Sequence, residues 1–510
     1  MSTANRVIKN TGYLYAKMGI TMFVSLYTTR LILNGLGASD FGIFNIVGGA
    51  IAMLGFLNAA MASATQRFMS YAEGEGNKEK QKYIFNISIV LHAAIALIVG
   101  LVLVGAGWFF FNGILTIPDN RVFAAEIVYA SLIVSTMFTV MSVPYDAVLN
   151  AHENMKYYAL VGILESFLKL AVAFACVYAT SDKLIVYGVL MACIPFVTLS
   201  IMRIYCHRHY EECILAPRRY YSQALMKEMT GFAGWNFLGV ASNMVGNYGQ
   251  GIVLNHFFGT LLNAALGIAN QLNGLLLVFS NNMLKAVNPV IMKSEGAGQR
   301  EQMVTQATSA CKLSFFMLAI FAIPAIAEMP YILRIWLGAV PAWAIVFSQF
   351  QLIRTLLEQI SIAYGSAINS EGHISNYNKV MTAINILPIF LICILFKWGH
   401  SPLTMLIVNI CIWGILFGLA RFYFMKHNCG MGYRFAFHQL VMPTILPFSI
   451  SLGVAFIPQL VMTESFLRFL ISSIIGILSY LFMFLQYGLS NQETKLLNKL
   501  IKKCKNLFTK

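Results

Sequence analysis

The chain has 510 residues, 58% of them hydrophobic and only 11% charged, against about 25% charged in an ordinary soluble domain. That excludes a water-soluble enzyme of this length and makes lipid the expected solvent. A formal net charge of +15 at pH 7 would suit nucleic acid, so where the charges fall matters.

Fourteen apolar segments follow one another, centred near residues 24, 53, 97, 134, 169, 194, 244, 275, 315, 354, 388, 413, 450 and 476. The stretch ISIVLHAAIALIVGLVLVGAGWFFF (87–111) has the ~20 apolar residues that cross a ~30 Å hydrocarbon core. Lipid admits only helices or closed barrels, because unsatisfied backbone groups are costly there. Barrel strands would be ~10 residues long and alternate apolar with polar, which these segments do not. The fold class is therefore an all-α polytopic membrane protein. The first segment is too long for a signal peptide, and its end, TTRLILNGLG, has no small-residue cleavage site. It is expected to stay as helix 1.

With the N-terminus inside, most of the 35 Lys and Arg fall on inner connections and ends, among them Arg67, Lys78, Lys80, Lys82, Arg203, Arg208, Arg218, Arg219 and the tail LNKLIKKCKNLFTK. The opposite loops hold only Arg121, Lys183, Arg334, Lys397 and Arg468. This asymmetry predicts both termini in the cytoplasm. It accounts for the basic excess and leaves no nucleic-acid groove to propose. The cluster Cys206-His207-Arg208-His209 with Cys213 has metal-like residue types but no standard zinc spacing. It is taken as a basic loop beside the membrane; no metal site and no cofactor are expected.

The hydrophilic island YAEGEGNKEK (71–80) returns as KSEGAGQREQ (293–302). RLILNG (30–35) likewise aligns with GIVLNH (251–256), and PYDAVLNAHENMKYY (144–158) with AYGSAINSEGHISNYN (363–378), all about 220 residues apart. Helices 1–6 and 7–12 are read as two copies of one unit. Because six is even, both copies enter the membrane in the same sense, which predicts two pseudo-symmetric lobes with a cavity between them. The expected layout is an N-lobe over 1–222, a C-lobe over 223–433, and helices 13 and 14 with the basic tail over 434–510.

Polar side chains then recur at helical spacing. Helix 7 carries Asn236, Asn243, Asn247 and Gln250 within about 60° on the helical wheel. Helix 8 carries Asn263, Asn270, Asn281, Lys285 and Asn288; helix 10 carries Gln351, Arg354, Glu358, Ser361 and Asn369. Such stripes can line water or glue helices together. Intramembrane cations narrow the choice: Arg30, Lys169, Lys285, Lys312 and Arg354 lie outside the loops, each costing roughly 2.5–3.5 kcal/mol at mid-membrane. Lys285 and Lys312 sit near helix ends and can snorkel. Lys169 has Glu165 one turn away, and Arg354 has Glu358; each pair reads as a self-neutralised brace or as an anion site tempered by its acid. A cationic cavity rich in amides and aromatics (Trp235, Tyr248) suits sugar hydroxyls and phosphate. The anion-binding candidates are Arg30, Lys169, Lys285 and Arg354. The sugar-binding candidates are Asn236, Asn243, Asn247, Asn270 and Gln351, and the coupling candidates are Glu165 and Glu358. No catalytic residue is assigned, and no Walker sequence occurs.

The stretch TTRLILNGLGASDFGIFNIVGGA (28–50), with Arg30, Leu36-Gly37, Asp40, Phe41 and Gly42, resembles the polysaccharide flippase branch of the multidrug/oligosaccharidyl-lipid/polysaccharide exporter superfamily. That resemblance implies alternating access in the bacterial plasma (inner) membrane, without bond chemistry. The implied cargo is a polyprenyl-diphosphate-linked oligosaccharide of O-antigen or capsule type. The implied partners are membrane lipids, a polysaccharide polymerase and glycosyltransferases. Three alternatives stay open: a lipid II-type flippase, a multidrug/cation antiporter of the same superfamily, and a non-transporting assembly scaffold. The antiporter reading wants carboxylates in helix 1 or helices 7 and 8, but no Asp or Glu lies between Thr230 and Lys293.

Overall fold

The computed structural model describes residues 3–52, 55–111, 117–338, 340–490 and 493–494, and among these every regular element is helical. Ten of the described helices are long and apolar enough to cross a membrane. The helices are α1 (Thr3–Ala52), α2 (Gly55–Glu75), α3 (Lys78–Phe109), α4 (Val122–Ala151), α5 (Met155–Tyr178) and α6 (Lys183–His209). They continue with α7 (Gln223–Phe258), α8 (Thr260–Gly296), α9 (Arg300–Ala327), α10 (Met329–Leu337), α11 (Ala344–Gln359), α12 (Ile362–Glu371) and α13 (Ser375–Lys397). The last five are α14 (Leu403–Asn409), α15 (Phe417–Cys429), α16 (Tyr433–Ala436), α17 (Met442–Val461) and α18 (Phe466–Met483). Three stretches, Ile410–Leu416, Phe437–Val441 and Phe484–Gly488, wind as π-helix.

The boundaries follow local chemistry. Gly37, at φ 79° and ψ 167°, breaks α1 where the Leu-Gly pair stands, a conformation open to a residue without Cβ. Asn77, Asn154 and Asp182 cap α3, α5 and α6 by accepting from the amides of Lys80, Tyr157 and Leu184 respectively.

The chain forms two compact units. One comprises Arg6–Val240 and Met292–Gly298; the other comprises Met1–Asn5, Ala241–Ile291 and Gln299–Lys510. In the first unit α4 packs on α2, α3 and α6 around Val47, Val99, Leu103, Val128 and Tyr129. Gly188 lets Val128 approach, and the buried Tyr129 hydroxyl donates to the Leu103 carbonyl at 2.6 Å. Small residues at such crossings replace the hydrophobic drive that lipid does not provide. One end of this unit is stapled by Arg121. Its Nε donates to Asp40 Oδ1 at 2.9 Å and its Nη1 to Asp182 Oδ2 at 2.6 Å. The hydrogen bond from Arg121 holds the Asp182 carboxyl below the usual range. Arg121 thus ties the α1 bend, where Asp40 of the motif stands, to Asp182 at the start of α6.

The other end holds the repeated islands. A Cβ on Gly74 would lie 2.1 Å from the Lys293 carbonyl oxygen, and one on Gly296 would lie 2.1 Å from the Tyr71 carbonyl oxygen. Each helix end therefore crosses the other on a glycine. Both then turn at a left-handed glycine, Gly76 at φ 70° and Gly298 at φ 72°, which closes the C-terminus.

In the second unit Val253, Leu254, Phe347, Ile392, Phe396 and Leu406 form a core. α17 and α18 pack on each other and on α9, with Gly476 against Ala455 and Ile323. Arg468 Nη2 donates to Glu328 Oε2 at 2.9 Å, fastening the start of α18 to the end of α9. Lys312 does not snorkel. Its side chain is 3% exposed and its Nζ donates to Glu493 Oε2 at 2.8 Å, with Ser309 Oγ donating to Oε1 at 2.9 Å. Burial raises the Glu493 carboxyl, but the charge and hydrogen bond of Lys312 outweigh it and hold the group below its ordinary range.

Candidate functional site

The second unit sorts the amide stripes into two kinds. Gln250 and Asn409 exchange hydrogen bonds at 2.9 and 2.8 Å in a buried pair, and Asn385 donates to Ser242 at 3.1 Å. These amides join helices. Asn243, Asn247 and Asn270 are exposed. Asn247 Nδ2 donates to the carbonyl of Asn243 at 2.9 Å, and Gln351 Nε2 donates to Asn270 Oδ1 at 3.1 Å. Two of the expected sugar ligands, on α8 and α11, therefore meet at an open face. Lys285 and Glu358 are partly buried.

Arg354 lies deeper. It is 8% exposed, its guanidinium sits 5.1 Å from the Trp413 ring, and its Nε has no hydrogen-bond partner among the described residues. Stacking on an indole suits a weakly hydrated guanidinium. A further buried cation is Arg421, 7% exposed, which lies over Phe417 at 4.3 Å and donates from Nη1 to Ser361 Oγ at 3.3 Å. In sequence it stands near the basic end of a helix, where a topogenic role explains it equally well.

In the first unit Asn236 is buried and donates to Ser63 Oγ at 3.4 Å, so this member of the helix 7 stripe also joins helices. Arg30 is exposed. Lys169 and Glu165 pair at 2.7 Å with both side chains about two-fifths exposed (44% and 41%). Glu165 also lines a cavity of about 180 Å³ with Lys17, Ser142, Asp146, Tyr158 and Thr198. Lys17 Nζ sits 4.3 Å from the Tyr158 ring centre, and a Cβ at residue 162 would lie 2.4 Å from that nitrogen. Gly162 thus makes room for a lysine that the sequence reading had not assigned. The signal was present in the pairing of an intramembrane Lys with a Gly one turn after Tyr158, but only tertiary structure brings them together.

The metal-like cluster resolves into packing. His207 hydrogen-bonds to the Tyr145 hydroxyl at 3.4 Å, and His209 stacks on Tyr205 at 4.1 Å. Among the described residues no group of His, Cys, Asp and Glu is arranged to hold a metal ion.

Comparison with known proteins bears on this arrangement. The family described as "Polysaccharide biosynthesis protein" matches residues 7–295, more than half of the chain. The chain belongs to that family. No curated protein matches it at a significant level. Solved structures share its fold: a MATE transporter in complex with MaD3S superposes with a TM-score of 0.70 at 14% identity, covering 83% of this chain and 96% of that one. An outward-facing multidrug resistance MATE transporter of the MOP superfamily gives 0.68 at 15% identity, covering 82% and 96%. A MOP superfamily transporter from Pyrococcus furiosus, whose reverse polarity of binding pocket suggests a different function, gives 0.67 at 14% identity, covering 82% and 96%. The chain thus joins membership of a polysaccharide biosynthesis family to the fold seen in these transporters.

Proposed function

We propose that the chain is a flippase carrying a polyprenyl-diphosphate-linked oligosaccharide, a polysaccharide repeat unit of O-antigen or capsule type, from the inner to the outer leaflet by alternating access. In this reading fourteen spans form two six-helix lobes and a two-helix appendage in the bacterial plasma membrane, with both termini cytoplasmic. One observation carries it: the exposed amide face of α7, α8 and α11, with Asn243, Asn247 and the bonded pair Asn270 and Gln351, of which the α7 and α8 part has no carboxylate between Thr230 and Lys293. Amides offer donors and acceptors to sugar hydroxyls, whereas an organic cation would call for acids.

The proposed path for the diphosphate begins at Lys285, passes Arg354 and Lys169 at mid-depth, and ends at Arg30. Arg354 reaches it by leaving the Trp413 face. Asn236 serves the sugar after exchanging its bond to Ser63. Outward movement of each negative charge through 100 mV, inside negative, gains about 2.3 kcal/mol. If an ion is coupled, Glu165 is better placed than Glu358, because it lines a polar cavity with Asp146 and Lys17. A polysaccharide polymerase and glycosyltransferases remain its proposed assembly partners.

The test is deletion in the host and complementation with wild type or Lys285→Ala/Arg354→Ala. Accumulated inner-leaflet lipid-linked oligosaccharide and lost surface polysaccharide, unrescued by a normally expressed variant, support the flippase. Sensitivity to cationic dyes with normal surface polysaccharide overturns it in favour of cation export.

A further inference from the structure

The turn after α4 contains a residue that stereochemistry disfavours. Glu153 has φ 54°, in the left-handed region where a Cβ is penalised. In the second copy of the repeat the matching position, about 220 residues on, is Gly372 at φ 103°. The same turn thus uses glycine where only geometry is required. Strain that persists where a relaxed solution exists points to a use for the side chain.

The side chain is 4% exposed. Its Oε1 receives Lys293 Nζ at 3.0 Å, from the end of α8, and lies 3.6 Å from Arg6 Nη1, near the start of α1. Its backbone carbonyl receives Asn10 Nδ2 at 2.9 Å, also from α1. Its Oε2 is buried without a hydrogen-bond partner among the described residues. One carboxylate therefore gathers α1, the end of α4 and the end of α8, beside the glycine crossing of Gly74 and Gly296. A purely structural carboxylate would be expected to satisfy both oxygens. This one is held by two cations and is left incompletely solvated, an arrangement that can be given up at modest cost when water enters.

We propose that Glu153 is a releasable latch: it holds the end of α8 against α1 and α4 in the described conformation, and frees it when the transport cycle opens this end of the bundle. The proposal rests on the alternating-access reading but not on the identity of the cargo. Glu153 touches no proposed sugar or phosphate ligand, so it acts by positioning.

The experiment uses the full chain with its nine cysteines replaced by Ala and Ser294→Cys introduced. Ser294 is 7% exposed beside Lys293. Labelling by a membrane-impermeant maleimide is followed in vesicles of either orientation. Glu153→Gln, Glu153→Gly and Lys293→Met are each expected to label about tenfold faster than the parent, as loss of ~1.4 kcal/mol of closure would give. Glu153→Gly distinguishes the latch from a strained turn: relief of strain alone would raise or maintain thermal stability and leave labelling unchanged, which overturns the proposal. If that variant fails to fold, Lys293→Met decides, since it leaves the turn intact; an unchanged rate there overturns the proposal equally. Labelling needs no cargo, so a dye phenotype that defeats the flippase reading leaves this result standing.

Discussion

Gly74 and Lys293 approach so closely that a single methyl group on the glycine would fall 2.1 Å from the lysine carbonyl oxygen. The contact recurs in reverse between Gly296 and Tyr71. Neither obstructing atom belongs to a flexible side chain, so a Cβ can be accommodated only by moving a helix. Gly74→Ala and Gly296→Ala are each expected to lower stability by about 1–3 kcal/mol, the usual cost of overpacking, seen as a lower melting temperature of the detergent-purified protein. Gly231→Ala, with open space around it, is the control and should melt like wild type.

The Arg121 staple makes an acid-sensitive prediction. Asp182 has a folded-state pKa below its unfolded value, so its stabilising effect is complete above the unfolded value, near 3.9. It is lost as pH falls through the lower folded value. Asp182→Asn should therefore narrow the gap to wild type as the medium is acidified below about pH 4, in melting curves recorded across pH. A gap that is constant with pH would contradict the assignment. At neutral pH, Arg121→Ala should cost about 1–2 kcal/mol, because two partly buried carboxylates lose their partner.

Two amides on neighbouring turns of α7 should behave oppositely. Gln250→Ala breaks the buried exchange with Asn409 and should cost about 1 kcal/mol in a thermal melt. Asn247→Ala, at an exposed position, should leave the melt unchanged and reduce surface polysaccharide in complementation. Gln351→Ala should resemble Asn247→Ala, since its bond to Asn270 is itself exposed.

Glu493→Gln leaves the Lys312 ammonium buried at 3% exposure without a counter-charge. The expected loss is about 3 kcal/mol, along with faster proteolysis beyond Gly488. Lys312→Met/Glu493→Gln should recover most of the melting temperature, because the charge that must be solvated is then gone.

Much of the helical layout was legible because lipid leaves the backbone no alternative, so the apolar segments follow from local chemistry, whereas the bend at Gly37 and the left-handed turns at Gly76 and Gly298 came from the backbone itself. The site was less legible for a specific reason. Helical phase tells which residues share a face, but not what covers that face. Asn236 and Gln250 lie on the wheel with Asn243 and Asn247, yet Ser63 and Asn409 cover the first two and leave the others open. Arg354 was visible as an intramembrane charge, while its seat on Trp413 required knowing which helix lay beside it. Glu153 carried no signal at all until its φ was known. Asp40 stood in the motif that suggested the family, but its partner Arg121 lies 81 residues away.

The π-helical stretches in the last third of the chain have a consequence for how these helices tolerate insertion and loss. Each accommodates an extra residue per turn, so side chains on its two flanks look in directions that no single wheel describes. Removing one residue from Ile410–Leu416 would let the segment relax to an ordinary α-helix with its two flanks still in phase, because the wide turn already absorbs one residue. Arg421 would then keep Ser361, and Asn409 would keep Gln250. The same deletion within an ordinary α-helix such as α13 would turn everything beyond it by about 100°, so the loss of a residue is tolerated at the wide turn and not elsewhere.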